Sequence, residues 1–198
     1  MKIIKYTLLP LLASVLISCG DNTETPKTSN VTSIKIDSTN LSIRSTDAEV
    51  SLSAIVNYDD GNSADASKGV TWGNTDYDVL NMLEGEISAD ANSGEANVTI
   101  KYGNFSDSIK VEVIELTDVF IVPLDSNATG THTLEARGNF KNGDKNITLV
   151  KNVNWYADND AVLSVDDNNI WSIEIKSGDT NLTLRVFDIN ETVIYSIN

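Results

Sequence analysis

The constraint that most narrows the fold of this 198-residue chain is that its sequence repeats itself. VSLSAIVNYDDG (50–61) aligns with HTLEARGNFKNG (132–143), placing Leu52, Ala54, Tyr58 and Gly61 on Leu134, Ala136, Phe140 and Gly143 at a constant offset of 82. GVTWGNTDYDVL (69–80) meets NVNWYADNDAVL (152–163), with Val70, Trp72, Val79 and Leu80 on Val153, Trp155, Val162 and Leu163 at offset 83. SGEANVTI (93–100) meets SGDTNLTL (177–184) at offset 84. Matches that keep their order and drift by only two residues mean two copies of one domain. The boundary is expected near Glu115 and Leu116, giving domains over 31–115 and 116–198.

Each copy reads as β-structure. Val50, Leu52, Ala54, Val56 and Tyr58 alternate with polar residues, the period-2 signature of a half-buried strand. Ala96, Val98, Ile100 and Tyr102 do the same, as do Ile109, Val111 and Val113. Leu182, Leu184 and Val186, then Val193, Tyr195 and Ile197, are their counterparts in the second copy. Turns such as Asp59-Asp60-Gly61-Asn62 and Lys141-Asn142-Gly143-Asp144 separate the runs. About 85 residues with six or seven short strands is the size of an immunoglobulin-like sandwich. The fold class expected is all-β, two tandem sandwiches.

One order of residues is more specific. Val31-x-x-Ile34-x-Ile36, Leu52-x-Ala54, Val70-Thr71-Trp72, Asp76-x-x-Val79, Gly85-x-Ile87 and Gly94-x-Ala96-x-Val98-x-Ile100 resemble the bacterial immunoglobulin-like domain, group 2. The second copy keeps Val153-x-Trp155, Val162 and Gly178, and has Asn168-Asn169 where Gly85 is expected to recur. Asparagine is the next most tolerant residue of a left-handed turn. Trp72 and Trp155 are read as core. Trp171, whose position in the first copy falls near Ser88, is the most exposed of the three, though Trp171, Ile173 and Ile175 alternate as a core face does.

Residues 1–18, MKIIKYTLLPLLASVLIS, have the layout of a secretory signal peptide: Lys2 and Lys5, an apolar run, then small residues. The run is about half the roughly 20 residues that span a bilayer. Leu16-Ile17-Ser18-Cys19 resembles the lipobox of bacterial lipoproteins. That resemblance implies cleavage before Cys19, diacylglycerol on its sulfur, acylation of its amino group and a lipid anchor in the cell envelope. Gly20 rather than Asp after the cysteine points, by the sorting rule of enteric-type lipoproteins, to the outer membrane. Residues 20–30 follow as a polar tether, so that 19–30 form a lipidated linker. Cys19 is the only cysteine, so no disulfide forms within the chain and hydrophobic cores alone must hold it together.

The net charge of −15 excludes nucleic acid as a partner, since that binding depends on Lys and Arg neutralising phosphates. His132 is the only histidine, so a histidine metal cluster is impossible and a Ser-His-Asp site improbable. Paired carboxylates are too common here to single out a glycosidase. No cofactor is expected. Calcium is the one metal considered, because Asp158, Asp160, Asp166 and Asp167 cluster oxygen ligands in loops, although none follows EF-hand spacing.

Asp/Glu-x-Asn-x-Ser/Thr occurs at Asn97, Asn127, Asn146, Asn181 and Asn190. It is similar to the extended acceptor sequon of some bacterial N-linked oligosaccharyltransferases. Asn97 and Asn181 fall on outward strand faces, where a polar face alone makes the pattern. Asn127, Asn146 and Asn190 are expected in or near loops, where a modifying enzyme has access. The functional expectation is a non-catalytic envelope module that binds a protein or glycan or acts as a spacer. A periplasmic structural accessory is the alternative, and an enzyme comes third.

Overall fold

The computed structural model describes residues 29–124, 130–158, 161–175 and 178–197, and the side chains of all these except 196 and 197. Cys19, Asn127 and Asp160 lie outside them, as do the signal-peptide segment and most of the tether. Every regular element among the described residues is a strand. The first ten are β1 (Val31–Ile36), β2 (Leu41–Arg44), β3 (Val50–Ser51), β4 (Ala54–Tyr58), β5 (Ser63–Asp65), β6 (Thr71–Asn74), β7 (Leu80–Leu83), β8 (Glu86–Ala89), β9 (Gly94–Tyr102) and β10 (Phe105–Ile114). They pair as β1-β4-β5, β3-β8-β7 and β2-β10-β9-β6. All these pairs are antiparallel except β2 with β10, which run parallel.

Nine further strands repeat the plan: β11 (Leu116–Ile121), β12 (Gly130–Thr133), β13 (Ala136–Phe140), β14 (Ile147–Thr148), β15 (Val153–Ala157), β16 (Val162–Val165), β17 (Trp171–Ile175), β18 (Gly178–Val186) and β19 (Ile189–Ile197). The orders β11-β13-β14, β12-β17-β16 and β15-β18-β19 reproduce those of the first half, β2 excepted. The duplication seen in the residues is therefore also a duplication of strand pairing.

Alternation builds the cores. Ala96, Val98 and Ile100 of β9 and Ile109, Val111 and Val113 of β10 turn inward and join Ile34, Val56, Leu80 and Ile87 in one buried cluster. Leu182, Leu184 and Val186 of β18 join Leu116, Phe140, Trp155 and Ile173 in a second. Burying a side chain of this size contributes roughly 1.5–3 kcal/mol, which a chain without a disulfide depends on. The three sheets of each half enclose its cluster, and both halves are immunoglobulin-like β-sandwiches.

One stretch differs from its sequence pattern in an informative way. Residues 50–58 alternate as a single strand, yet Val50 and Ser51 pair with Ile87 and Glu86, while Ala54–Tyr58 pair with β1. The chain crosses from one sheet to the other at Leu52 and Ser53 without losing its inward face. Leu52 and Ala54 are both buried across the switch. Such crossings divide long strands into short ones, which is why the halves hold ten and nine strands rather than six or seven.

The hairpin β7–β8 turns on Glu84 and Gly85, both with positive φ. Gly85 (φ 90°) also lies flat against the indole of Trp72: a Cβ there would sit 3.0 Å from the ring and 3.1 Å from the Leu52 carbonyl oxygen. Trp72 is half-buried and donates its Nε1–H to the Ser67 carbonyl at 3.0 Å. Gly61 has a similar φ (83°) but nothing within 4 Å. Gly61→Ala is thus expected to cost about 1–2 kcal/mol from backbone conformation alone. Gly85→Ala costs more, because the indole and a backbone carbonyl must also move. Urea midpoints of the first-domain transition, monitored by Trp fluorescence, check the order.

Candidate functional site

Two places gather side chains into more than packing. The first is the junction. β10 ends at Ile114 and β11 begins at Leu116, leaving Glu115 as the only residue between them. The Asn92 side chain closes on that joint. Its Nδ2 donates to the Leu116 carbonyl at 3.1 Å, and its Oδ1 accepts the Leu116 N–H at 3.0 Å. Ser45, fully buried, donates its hydroxyl to the same Oδ1 at 3.1 Å.

Further contacts cross from one half to the other. Lys151 Nζ donates to the buried Ser88 hydroxyl at 2.6 Å, and Asn152 Nδ2 donates to the Ser45 carbonyl at 3.3 Å. Arg44 is held by Asp47 at 2.8 Å, lies 3.6 Å from Asp144, and sits 5.8 Å over the Phe140 ring. Lys141 closes the turn with Glu115 through a 2.9 Å ion pair and a main-chain hydrogen bond of the same length. Glu115 raises the Lys141 pKa, mainly through that side-chain hydrogen bond.

The second place is a cleft of about 740 Å³ in the second half, between residues 148–155 and 168–171, with Leu134–Ala136 at its base. The hydrogen-bond register explains why it exists. In the first half Leu52 N–H donates to the Gly85 carbonyl at 2.9 Å; in the second half the equivalent Leu134 N–H donates to the Trp171 carbonyl at 2.8 Å. Trp171 therefore stands where Gly85 stands, not near Ser88. The hairpin turn is also longer: Asp166–Ile170 replaces the Glu84–Gly85 turn, with Asn169 in the left-handed region (φ 61°). The position of the glycine that seals one tryptophan is occupied in the second half by another tryptophan.

The indole of Trp155 is 5 % exposed. Its Nε1–H, unlike that of Trp72, has no acceptor among the described residues. No buried side-chain nitrogen or oxygen lacks a partner there, so this N–H is not fully buried, and Trp155 is one of the residues that line the cleft. Trp171 is half-buried, packs in part against the second core and lines the cleft, and its Nε1–H has no acceptor among the described residues. Ile170 and Val150, 49 % and 55 % exposed, flank the opening. Sequence reading found all three tryptophans but not the cleft, because the register that pairs Trp171 with Gly85 is set by a neighbouring strand.

The acidic candidates serve the backbone. Asp158 accepts the Asn181 N–H at 2.6 Å and also its side-chain amide. Asp166 accepts the Asn168 and Ile170 N–H groups at 2.9 and 2.8 Å. These hydrogen bonds hold both carboxylates below their ordinary pKa, Asn181 side chain first for Asp158 and Ile170 first for Asp166. Asp167 lies in the same turn, exposed. Asp60, in the other acidic turn, is occupied likewise by Ser29 and Asn62. Among the described residues no three His, Cys, Asp or Glu side chains group as a metal would need.

His132 is half-buried within β12, paired with Ile173. Asn97 and Asn181 sit exposed at equivalent points of β9 and β18. Each takes a side-chain oxygen onto its own N–H, from Thr75 and Asp158 respectively. Asn146 is exposed in a bend with φ 56°. Asn190, expected in or near a loop, is a ladder residue of β19 opposite Arg185, two residues past the two-residue turn at Phe187 and Asp188.

No family model matches the chain, and no curated protein matches it. Among solved structures it is similar to domains 5–6 of the S-layer protein SbsC, at 16% identity and a TM-score of 0.40, covering 86% of this chain and 98% of that one. It is similar to SbsC domains 4 and 5 at 20% identity and a TM-score of 0.37, covering 85% and 99%. The titin tandem A164–A165 is similar at 8% identity and a TM-score of 0.30, covering 86% and 95%.

Asn92→Ala removes two hydrogen bonds that tie the halves and is expected to widen the distribution of interdomain angles. Small-angle scattering reads this as a broader distance distribution, with each sandwich's melting transition kept. For Asp158, a folded pKa below the unfolded one means its contribution is present above the unfolded value and lost as pH falls through the folded one. Asn181→Ala raises the Asp158 pKa toward its ordinary 3.8, and carboxylate NMR titration measures the change.

Proposed function

We propose that the chain is a non-catalytic, lipid-anchored module of the bacterial cell envelope, in which two immunoglobulin-like domains of the group 2 type form a stiff stalk that presents a binding surface. The observation that carries this reading is the junction. A single residue joins the sandwiches, and Asn92 fastens the first residue of the second to the first. Flexible linkers let domains reorient freely; a one-residue joint with cross-domain hydrogen bonds on several sides does not. Stiffness has a use when one end is fixed and the other must be held at a distance.

The fixed end is supplied by Cys19. Each buried methylene of an acyl chain contributes about 0.8 kcal/mol, so two or three chains retain the protein on the membrane. The tether of residues 20–30 then sets the stalk clear of the headgroups, which the chain's acidity also disfavours. The site chemistry supports a binding role over a catalytic one. Asp158 and Asp166 are held by backbone N–H groups and kept low in pKa, whereas a general acid at neutral pH needs a raised one.

Expression with a clickable palmitate analogue tests the anchor. The native chain is expected to carry label and sediment with membranes, and Cys19→Ser to lose the label and remain uncleaved. Protease treatment of intact cells then separates the two settings. Removal of the sandwiches means surface presentation, while survival until the outer membrane is opened means the periplasmic accessory.

A further inference from the structure

We propose that the cleft of the second domain is a binding site for a neutral saccharide, with one pyranose ring stacked on Trp171 and its hydroxyls hydrogen-bonded by Trp155 Nε1 and the amide of Asn169. It deepens the binding part of the function proposed above and does not depend on the anchor.

The cleft is what remains when an otherwise repeated structure departs from its own plan. In the first domain the same position is closed: Gly85 seals the face of Trp72, and the indole N–H is used internally by Ser67. In the second, Trp171 replaces the glycine, the turn is lengthened by residues including Asn168 and Asn169, and two indole N–H groups are left without acceptors among the described residues. About 740 Å³ falls within the range of small-molecule sites, roughly 300–1,000 Å³.

The chemistry of the lining selects the ligand. Glu135 is engaged by Arg137 at 2.8 Å and Thr148 at 3.1 Å, and Lys151 by Ser88 at 2.6 Å. The charged groups of the cleft are thus already spoken for, and a chain of net charge −15 repels anions. A neutral ligand fits. The Asn169 side chain makes no hydrogen bond among the described residues. An amide both donates and accepts, as a sugar hydroxyl does, and an indole face stacks on the C–H face of a pyranose. A proline-rich peptide would use the aromatic face, but its main chain offers mostly acceptors and leaves the amide oxygen unmatched.

The full chain in detergent is titrated with cellotetraose, maltotetraose, mannotetraose and chitotetraose, and with a proline-rich decapeptide, by calorimetry and Trp fluorescence. The expected result is saturable binding of at least one tetrasaccharide with a Kd below about 1 mM. Trp171→Ala then weakens it about tenfold or more, Trp171→Phe retains most of it, and Cys19→Ser changes nothing. Should Trp171→Ala not fold, Asn169→Ala serves in its place, with a several-fold loss expected. Absence of saturable binding by all four sugars to folded protein would overturn the proposal. So would unchanged affinity in the folded Trp171→Ala variant, or binding of the peptide alone. None of these outcomes bears on acylation of Cys19, so failure here and failure of the anchored-stalk reading are separable.

Discussion

The closure of the Asn92 amide on Leu116 is the interaction on which the arrangement of this molecule rests. A side-chain amide can present a donor and an acceptor side by side as a peptide group does, so it pairs with the N–H and C=O of a single residue as a neighbouring strand would. Because Leu116 is also the first buried residue of the second core, the same residue is held from both sides. Arg44, Lys151 and Asn152 then meet surfaces already placed opposite them. Their contacts are individually modest, and exposed ion pairs like those of Arg44 contribute at most about 1 kcal/mol. They orient the joint because it has no slack for them to remove.

Duplication makes the molecule its own comparison. Trp72 and Trp155 occupy equivalent strands and face equivalent cores, yet the position that caps one ring is glycine and its counterpart in the other half is tryptophan. Half of the pair shows what the fold requires: a residue able to turn the hairpin and a flat backbone against the indole. The other half shows how much departure it tolerates when the turn lengthens and asparagine takes the left-handed position. A core position and a cleft wall differ here by one side chain and a turn three residues longer.

Most of the fold was legible because alternation is enforced by burial. Val98 or Leu184 moved one place would face solvent, so their spacing carries the strand with it. The crossing at Leu52 and Ser53 was not legible, since the inward face continues through it and only the hydrogen-bond partners change. Trp171 was misplaced for a related reason. Counting residues aligned it with Ser88, while the ladder through Leu134 aligns it with Gly85, and counting cannot see an inserted turn. Asn92 and His132 belong to the same class, because what each does depends on which strand lies beside it. The acidic turns were legible as turns; Asp158 and Asp166 spend their oxygens on main-chain N–H groups.

The parallel pairing of β2 with β10 has a mechanical meaning. Tension between the tether side of β2 and Glu115 draws the two strands in opposite directions along a common axis. The ladder from Leu41 beside Val111 to Arg44 beside Ile114 is then loaded in shear, with its hydrogen bonds sharing the force, and does not open one bond at a time. Resistance to forced unfolding is governed by the unfolding rate and not by equilibrium stability. A domain held at one end and pulled at the other would meet this sheared ladder once the tension has passed β1, and the force borne there is set by four residues rather than by the whole core.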